Sequence, residues 1–84
     1  MAEQGLRNTL KVQRAIHNLT QADLAALAGV TRKSVNAIET GRMVPSILLA
    51  LKLARALGVS LETIFSLASG PDPARLISNQ EAQL

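Results

Sequence analysis

Apolar and polar positions repeat along the chain with a helical period in five stretches. Leu6, Leu10 and the aliphatic stem of Arg14 recur every four residues, which predicts a first helix from Leu6 to Asn18. Thr20 to Gly41, TQADLAALAGVTRKSVNAIETG, predicts two short helices joined by a tight turn. Thr20 is placed to N-cap the first of these, with Asp23 three residues on in capping-box position, although Asp is shorter than the preferred Glu. Leu24, Ala25, Leu27 and Ala28 give that helix an apolar stripe. Gly29 supplies a residue that turns left-handed without steric cost. Thr31 caps the next helix, Val35 and Ile38 point it inward, and Gly41 closes it, leaving Arg32, Lys33, Asn36 and Ala37 on its outer face. Val44-Pro45-Ser46 restarts the chain, with Ser46 as N-cap of a fourth helix ending at Gly58. Ser60 caps a short fifth whose Leu61, Ile64, Phe65 and Leu67 face inward. Ser69-Gly70-Pro71-Asp72-Pro73 is a breaker. Beyond it two states stay open: a last helix capped by Asp72, with Pro73 first and Leu76 and Ile77 apolar, or disorder.

Two helices around a tight turn, the second exposing basic and amide side chains, form the layout that sets a second helix into the DNA major groove. The candidate chemistry agrees. Arg32 and Lys33 open the third helix, where cations are unfavourable beside the positive end of the dipole, so an anion is the natural missing partner. Arg makes a bidentate contact to guanine O6 and N7, and Asn does the same for adenine N6 and N7. Lys33 suits a guanine or a phosphate, and the Ala37 methyl suits a thymine methyl. Gln21 opens the second helix, where its amide and the backbone donors are placed to hold a phosphate. Lys52 and Arg55 read as solvated, Leu48 between them as exposed, and His17 as a surface residue.

The chain resembles the Xre/Cro family of helix-turn-helix regulators, to which lambdoid phage repressors belong. The matching residues are Leu10-Lys11, Arg14, Leu19-Thr20-Gln21, Leu24-Ala25, Gly29-Val30-Thr31-Arg32, Asn36, Ile38-Glu39 and Gly41-Arg42. Downstream come Pro45-Ser46, Leu49-Ala50-Leu51-Lys52-Leu53-Ala54, Leu57-Gly58-Val59, Glu62, Ile64 and Phe65. Lys33 stands where the family often has Gln, and Met43 where it often has an aromatic. The resemblance implies an all-α, five-helix bundle of the lambda repressor-like DNA-binding type with a central helix-turn-helix, spanning residues 6–67 between a flexible 1–5 and a tail at 68–84. It implies base contacts from Arg32, Lys33, Asn36 and Ala37, and phosphate contacts from Gln21, Thr40 and Arg42. Thr31 and Ser34 complete the candidate phosphate set. It also implies that Gln21 steadies Arg32, and that Arg14 pairs with Glu39 to tie the first helix to the end of the third.

Composition narrows the classes. Eighty-four residues make one domain, and 48% apolar residues with 1% aromatics predict a core of Leu, Ile, Val and Ala. Without Cys there is neither a disulfide framework nor a Cys-based metal site, which suits a reducing cytoplasm. A lone His makes no metal site, no cofactor is implied, and no nucleophile–base pair or Gly-rich phosphate loop suggests an enzyme. No apolar run reaches the ~18 residues of a membrane span, and the N-terminus lacks a signal-peptide apolar region. Residues 1–19 carry a formal charge of +2, residues 20–42 carry +1 and residues 43–84 carry none, so the excess lies with the motif. The expected function is sequence-specific binding of double-stranded DNA by a cytoplasmic, nucleoid-associated prokaryotic or phage regulator. It would repress from a near-palindromic operator as a homodimer, with helix five, Leu48 and the tail as candidate dimer surface. Two alternatives stand beside it: an antitoxin whose tail takes a protein partner, and a protein-interaction module that does not bind DNA.

Overall fold

The structure is a computed structural model that describes residues 5–68. In chain order its elements are β1 (Leu6–Asn8), α1 (Leu10–Ile16), α2 (Gln21–Ala28), α3 (Arg32–Glu39), α4 (Ile47–Leu57), α5 (Leu61–Ile64) and β2 (Phe65–Leu67). The fold is the expected five-helix, lambda repressor-like bundle, with one small addition. β1 and β2 pair antiparallel, Leu6 opposite Leu67 and Asn8 opposite Phe65.

That strand pair corrects both ends of the sequence reading. The first helix starts at Leu10, not Leu6, because Asn8 Oδ1 accepts from the Leu10 N–H at 3.1 Å and turns the chain there. Its last helical residue is Ile16, and Asn18 takes a left-handed φ of 56° that Asn tolerates. At the other end the fifth helix is one turn long. Leu67, expected inward, lies on β2 and is 69% exposed. The Leu76 and Ile77 expectations lie outside the described residues.

The caps of the central motif stand as read. The Thr20 hydroxyl accepts from Asp23 N at 2.9 Å while the Asp23 carboxylate accepts from Thr20 N at 3.0 Å, a complete capping box. These two bonds hold the exposed Asp23 carboxyl below its usual pKa. Gly29 ends α2 at φ 72°, and Val30 N reaches back to the Ala25 carbonyl at 3.0 Å, which closes the helix before Thr31 caps α3. Ser46 likewise caps α4 through Leu49 N.

Buried Leu10, Leu24, Val35, Ile38, Leu53, Leu57 and Ile64, with Ala25, Ala28 and Ala54, form one core to which every helix contributes. The alanines let α2 and α4 approach closely. The apolar stripe of α2 is narrower than the spacing suggested, because Leu27 is 62% exposed. At about 1.5–3 kcal/mol per fully buried large aliphatic side chain, this core fixes the angle between α2 and α3. The strand pair closes the far side. The Thr9 N–H donates to the Ile64 carbonyl at 2.8 Å, and Asn8 Nδ2 to the Ile38 carbonyl at 3.0 Å, tying β1 to the end of α3.

Candidate nucleic-acid interface

α3 buries Val35 and Ile38 and so turns Arg32, Lys33 and Asn36 outward, all three exposed. Together with Gln21 from the first turn of α2 they line a shallow cavity of ≈ 360 Å³. Ala37 is half-buried beside them. No acid stands in the first turn of α3 to answer the two cations. The concave surface therefore offers cationic and amide donors to an anionic, acceptor-rich partner.

The base of this surface is an ion pair. Arg14 donates through Nε to Glu39 Oε2 at 2.5 Å and through Nη2 to Oε1 at 3.0 Å, while its Nη1 donates to the Leu19 carbonyl at 3.0 Å. The paired side chains are only 15% and 6% exposed. Burial alone pushes the Glu39 carboxyl up. The bonds from Arg14 and Gln21 and the charges of Arg14 and Lys11 outweigh it, and the pKa lies below the usual value. The Glu39 bond likewise raises the Arg14 pKa against desolvation.

Gln21 reaches Asn36 and Glu39, and among the described residues no hydrogen bond joins it to Arg32. Its Nε2 donates to Asn36 Oδ1 at 3.1 Å and to Glu39 Oε1 at 3.1 Å. Arg32 lies a full turn before Asn36, nearer the start of α3, while the buried carboxylate sits towards its end. A carboxylate only accepts, so it draws the Gln21 amine towards that end. Both amine protons are thereby engaged. The donors left at this position are the main-chain N–H groups of Gln21 and Ala22, which the first turn of a helix leaves unpaired.

The remaining phosphate candidates differ in what they can offer. The Thr31 hydroxyl accepts from Ser34 N and donates to Ser34 Oγ at 2.9 Å, so its one proton is already committed. Ser34 keeps its own proton to donate. Thr40 Oγ1 donates to the Asn36 carbonyl at 2.9 Å and must rotate before it meets a phosphate. Arg42 is exposed, just past the end of α3.

Beyond Arg42 lies a feature of which the sequence reading singled out only Leu48. Val44, just before α4, and Ile47, Leu48 and Leu51, in its first turns, are 74%, 77%, 64% and 50% exposed. The signal was present in the sequence as apolar residues at 44, 47, 48 and 51, a helical spacing that runs on outside the core stripe of Ala50, Leu53, Ala54 and Leu57. Leu61, by contrast, packs on the protein's own core. Among the described residues no helix is long and apolar enough to cross a membrane, and no group of His, Asp and Glu is placed to hold a metal ion.

Two capped helices at the angle set by one small core, the second presenting cations and amides, define a helix-turn-helix DNA-binding domain. The comparisons with known proteins make the assignment specific. The helix-turn-helix family model matches residues 10–64, and the chain belongs to the Xre/Cro family of helix-turn-helix transcriptional regulators. It is 52% identical over 60 residues to the HTH-type transcriptional regulator MJ0272 of Methanocaldococcus jannaschii, covering 71% of this chain and 91% of that one. It is 44% identical over 60 residues to the HTH-type transcriptional regulator YgzD of Bacillus subtilis, again covering 71% and 91%. Among solved structures, the restriction-modification controller protein C.AhdI of Aeromonas hydrophila superposes with a TM-score of 0.62 at 35% identity, covering 64% of this chain and 82% of that one. The protein is a DNA-binding transcriptional regulator, of a family whose members are not enzymes. This sets aside the reading of a module that does not bind DNA.

Proposed function

We propose that the protein is a cytoplasmic repressor that occupies a near-palindromic operator as a homodimer, one α3 per half-site. The half-sites would lie one helical turn, about 34–36 Å, apart. The observation that carries this is the shared concave surface of Arg32, Lys33, Asn36 and Gln21, with two unanswered cations at its head. In this reading Arg32 reads a guanine, Lys33 a guanine or phosphate, and Ala37 lies against a thymine methyl. The Gln21 and Ala22 main-chain N–H groups, Ser34 and Arg42 hold the backbone, with Thr40 after rotation and Thr31 acting through Ser34.

A single α3 spans too few base pairs for operator-level specificity, which is the argument for two copies. The surface we assign to the second copy is the apolar run Val44, Ile47, Leu48 and Leu51; of the helix-five pair expected from the sequence, Leu61 packs on the core while Leu67 is exposed on β2. The run begins two residues after Arg42, so a two-fold contact there holds both recognition helices against one face of the duplex. Selecting bound duplexes from a random DNA pool, followed by sedimentation with the selected site, tests both parts. The expected result is a two-fold symmetric site bound by two chains. A site with no internal symmetry bound by one chain would refute the homodimer.

A further inference from the structure

We infer that Asn8, the last residue of β1, is a positioning residue that aims Arg42 at the DNA backbone. The inference rests on the reading of Arg42 as a phosphate contact. Asn8 is half-buried, and both ends of its carboxamide are used. Oδ1 accepts from the Leu10 N–H at 3.1 Å, which fixes the start of α1, and Nδ2 donates to the Ile38 carbonyl at 3.0 Å. Ile38 lies in the last turn of α3, where main-chain carbonyls lack a partner within the helix. The same carbonyl accepts from the Gly41 N–H at 3.1 Å. A carbonyl oxygen has two lone pairs, so this one atom joins β1 to the turn that follows α3.

That turn carries Arg42. Gly41 reverses the chain at φ 76°, and the N–H groups of Arg42 and Met43 both donate to the Ala37 carbonyl, at 2.8 and 3.2 Å. Ile38 before the turn and Met43 after it pack on the core, but Thr40, Gly41 and Arg42 between them are exposed. Even a Cβ built on Gly41 would meet nothing within 4 Å. A cavity of ≈ 270 Å³ separates Leu6 and Asn8 on one side from Gly41, Met43 and Val44 on the other. Such a space supplies no van der Waals contacts to resist movement of the turn. The direction in which Arg42 leaves it is therefore set by main-chain bonds converging on the Ala37 and Ile38 carbonyls, and Asn8 holds the second of these. A loosened turn has to be ordered again when DNA binds, and that ordering is subtracted from affinity.

The test uses the full chain and reads DNA affinity at a temperature where circular dichroism shows every variant folded. Asn8→Ser keeps a hydroxyl that accepts from the Leu10 N–H but is too short to reach the Ile38 carbonyl. It should weaken selected and unrelated duplexes alike, by about fivefold. In an Arg42→Ala background the same substitution should change affinity by less than about twofold, because the contact it aims is already gone. Thr9→Val is the control for a merely structural role. It breaks the 2.8 Å bond from Thr9 Oγ1 to the Thr63 carbonyl, next to Asn8, and should lower the melting temperature with affinity unchanged. Asn8→Ser with parental affinity, or with the same loss whether or not Arg42 is present, overturns the inference, as does an equal loss in Thr9→Val. If Arg42→Ala alone leaves affinity intact, the phosphate contact itself fails and the inference falls with it.

Discussion

Replacing Glu39 with Ala should destabilise the protein by about 2–3 kcal/mol, a figure set between two limits. Breaking a fully buried ion pair by removing one partner costs about 3–5 kcal/mol, and a fully exposed pair is worth about 0–1 kcal/mol. This pair lies nearer the buried limit, with side chains 15% and 6% exposed. Two features lower the cost. Arg14 keeps its bond to the Leu19 carbonyl, and its more open side can be rehydrated. One feature raises it, since Gln21 Nε2 also loses an acceptor. In a domain of this size 1 kcal/mol moves the melting temperature by about 4–8 °C, so the expected drop is about 10–20 °C. Thermal and urea unfolding followed by circular dichroism give the number. Arg14→Met should cost at least as much, because it leaves the more buried carboxylate with Gln21 alone. The double variant should lose clearly less than the sum, by at least about 1 kcal/mol. A Glu39→Ala protein melting within about 4 °C of the parent, or strictly additive losses, would refute the reasoning.

Arg32→Ala should weaken the selected duplex by about 1–3 kcal/mol and relax one base position, as competition against single-base variants would show; an unchanged profile removes Arg32 from the base readers. Arg42→Ala should weaken selected and unrelated duplexes alike and flatten the plot of log affinity against log salt by about 1 unit. Because folding lowers the Glu39 pKa, the unfolded chain binds a proton first, at about pH 4.3. The stability it contributes is therefore complete at neutral pH and is lost as the pH falls through the folded value. The melting temperature should drop on acidification from about pH 5 to pH 3, and Glu39→Gln should flatten that slope. Leu48→Asp, at an exposed position, should leave the fold intact and reduce both self-association and operator affinity in sedimentation; a dimer of parental strength moves the contact elsewhere.

The caps and stops of α2 and α3, and their inward residues apart from Leu27, were legible in the sequence because they are local. Thr20 with Asp23, Gly29, and Thr31 act within four residues of themselves. The Arg14–Glu39 pair was reached through the family resemblance. The strands were not legible, since Leu6 and Leu10 keep a helical spacing, and what makes Leu6–Asn8 a strand is a partner some sixty residues away. Gln21 presented a different problem. Arg32 and Asn36 are one turn apart on the same face, and only the place of the Glu39 carboxylate decides between them. The apolar run from Val44 to Leu51 was visible as letters, but its exposure depended on knowing which side of α4 the core takes.

The short strand pair also makes the described chain nearly a ring. Gly5 and Ala68 meet through the Ala68 N–H to Gly5 carbonyl bond at 3.0 Å, and Arg7 Nη2 donates to the Ala68 carbonyl at 2.9 Å. Bringing the ends of roughly sixty residues together carries a length-dependent entropy of about 3–4 kcal/mol. A short peptide spliced from Ala68 back to Gly5 would prepay that closure without stretching the fold. The order of helices along the chain then becomes arbitrary, and new ends opened in the turn at Gly58 would leave the DNA-facing surface on one unbroken segment.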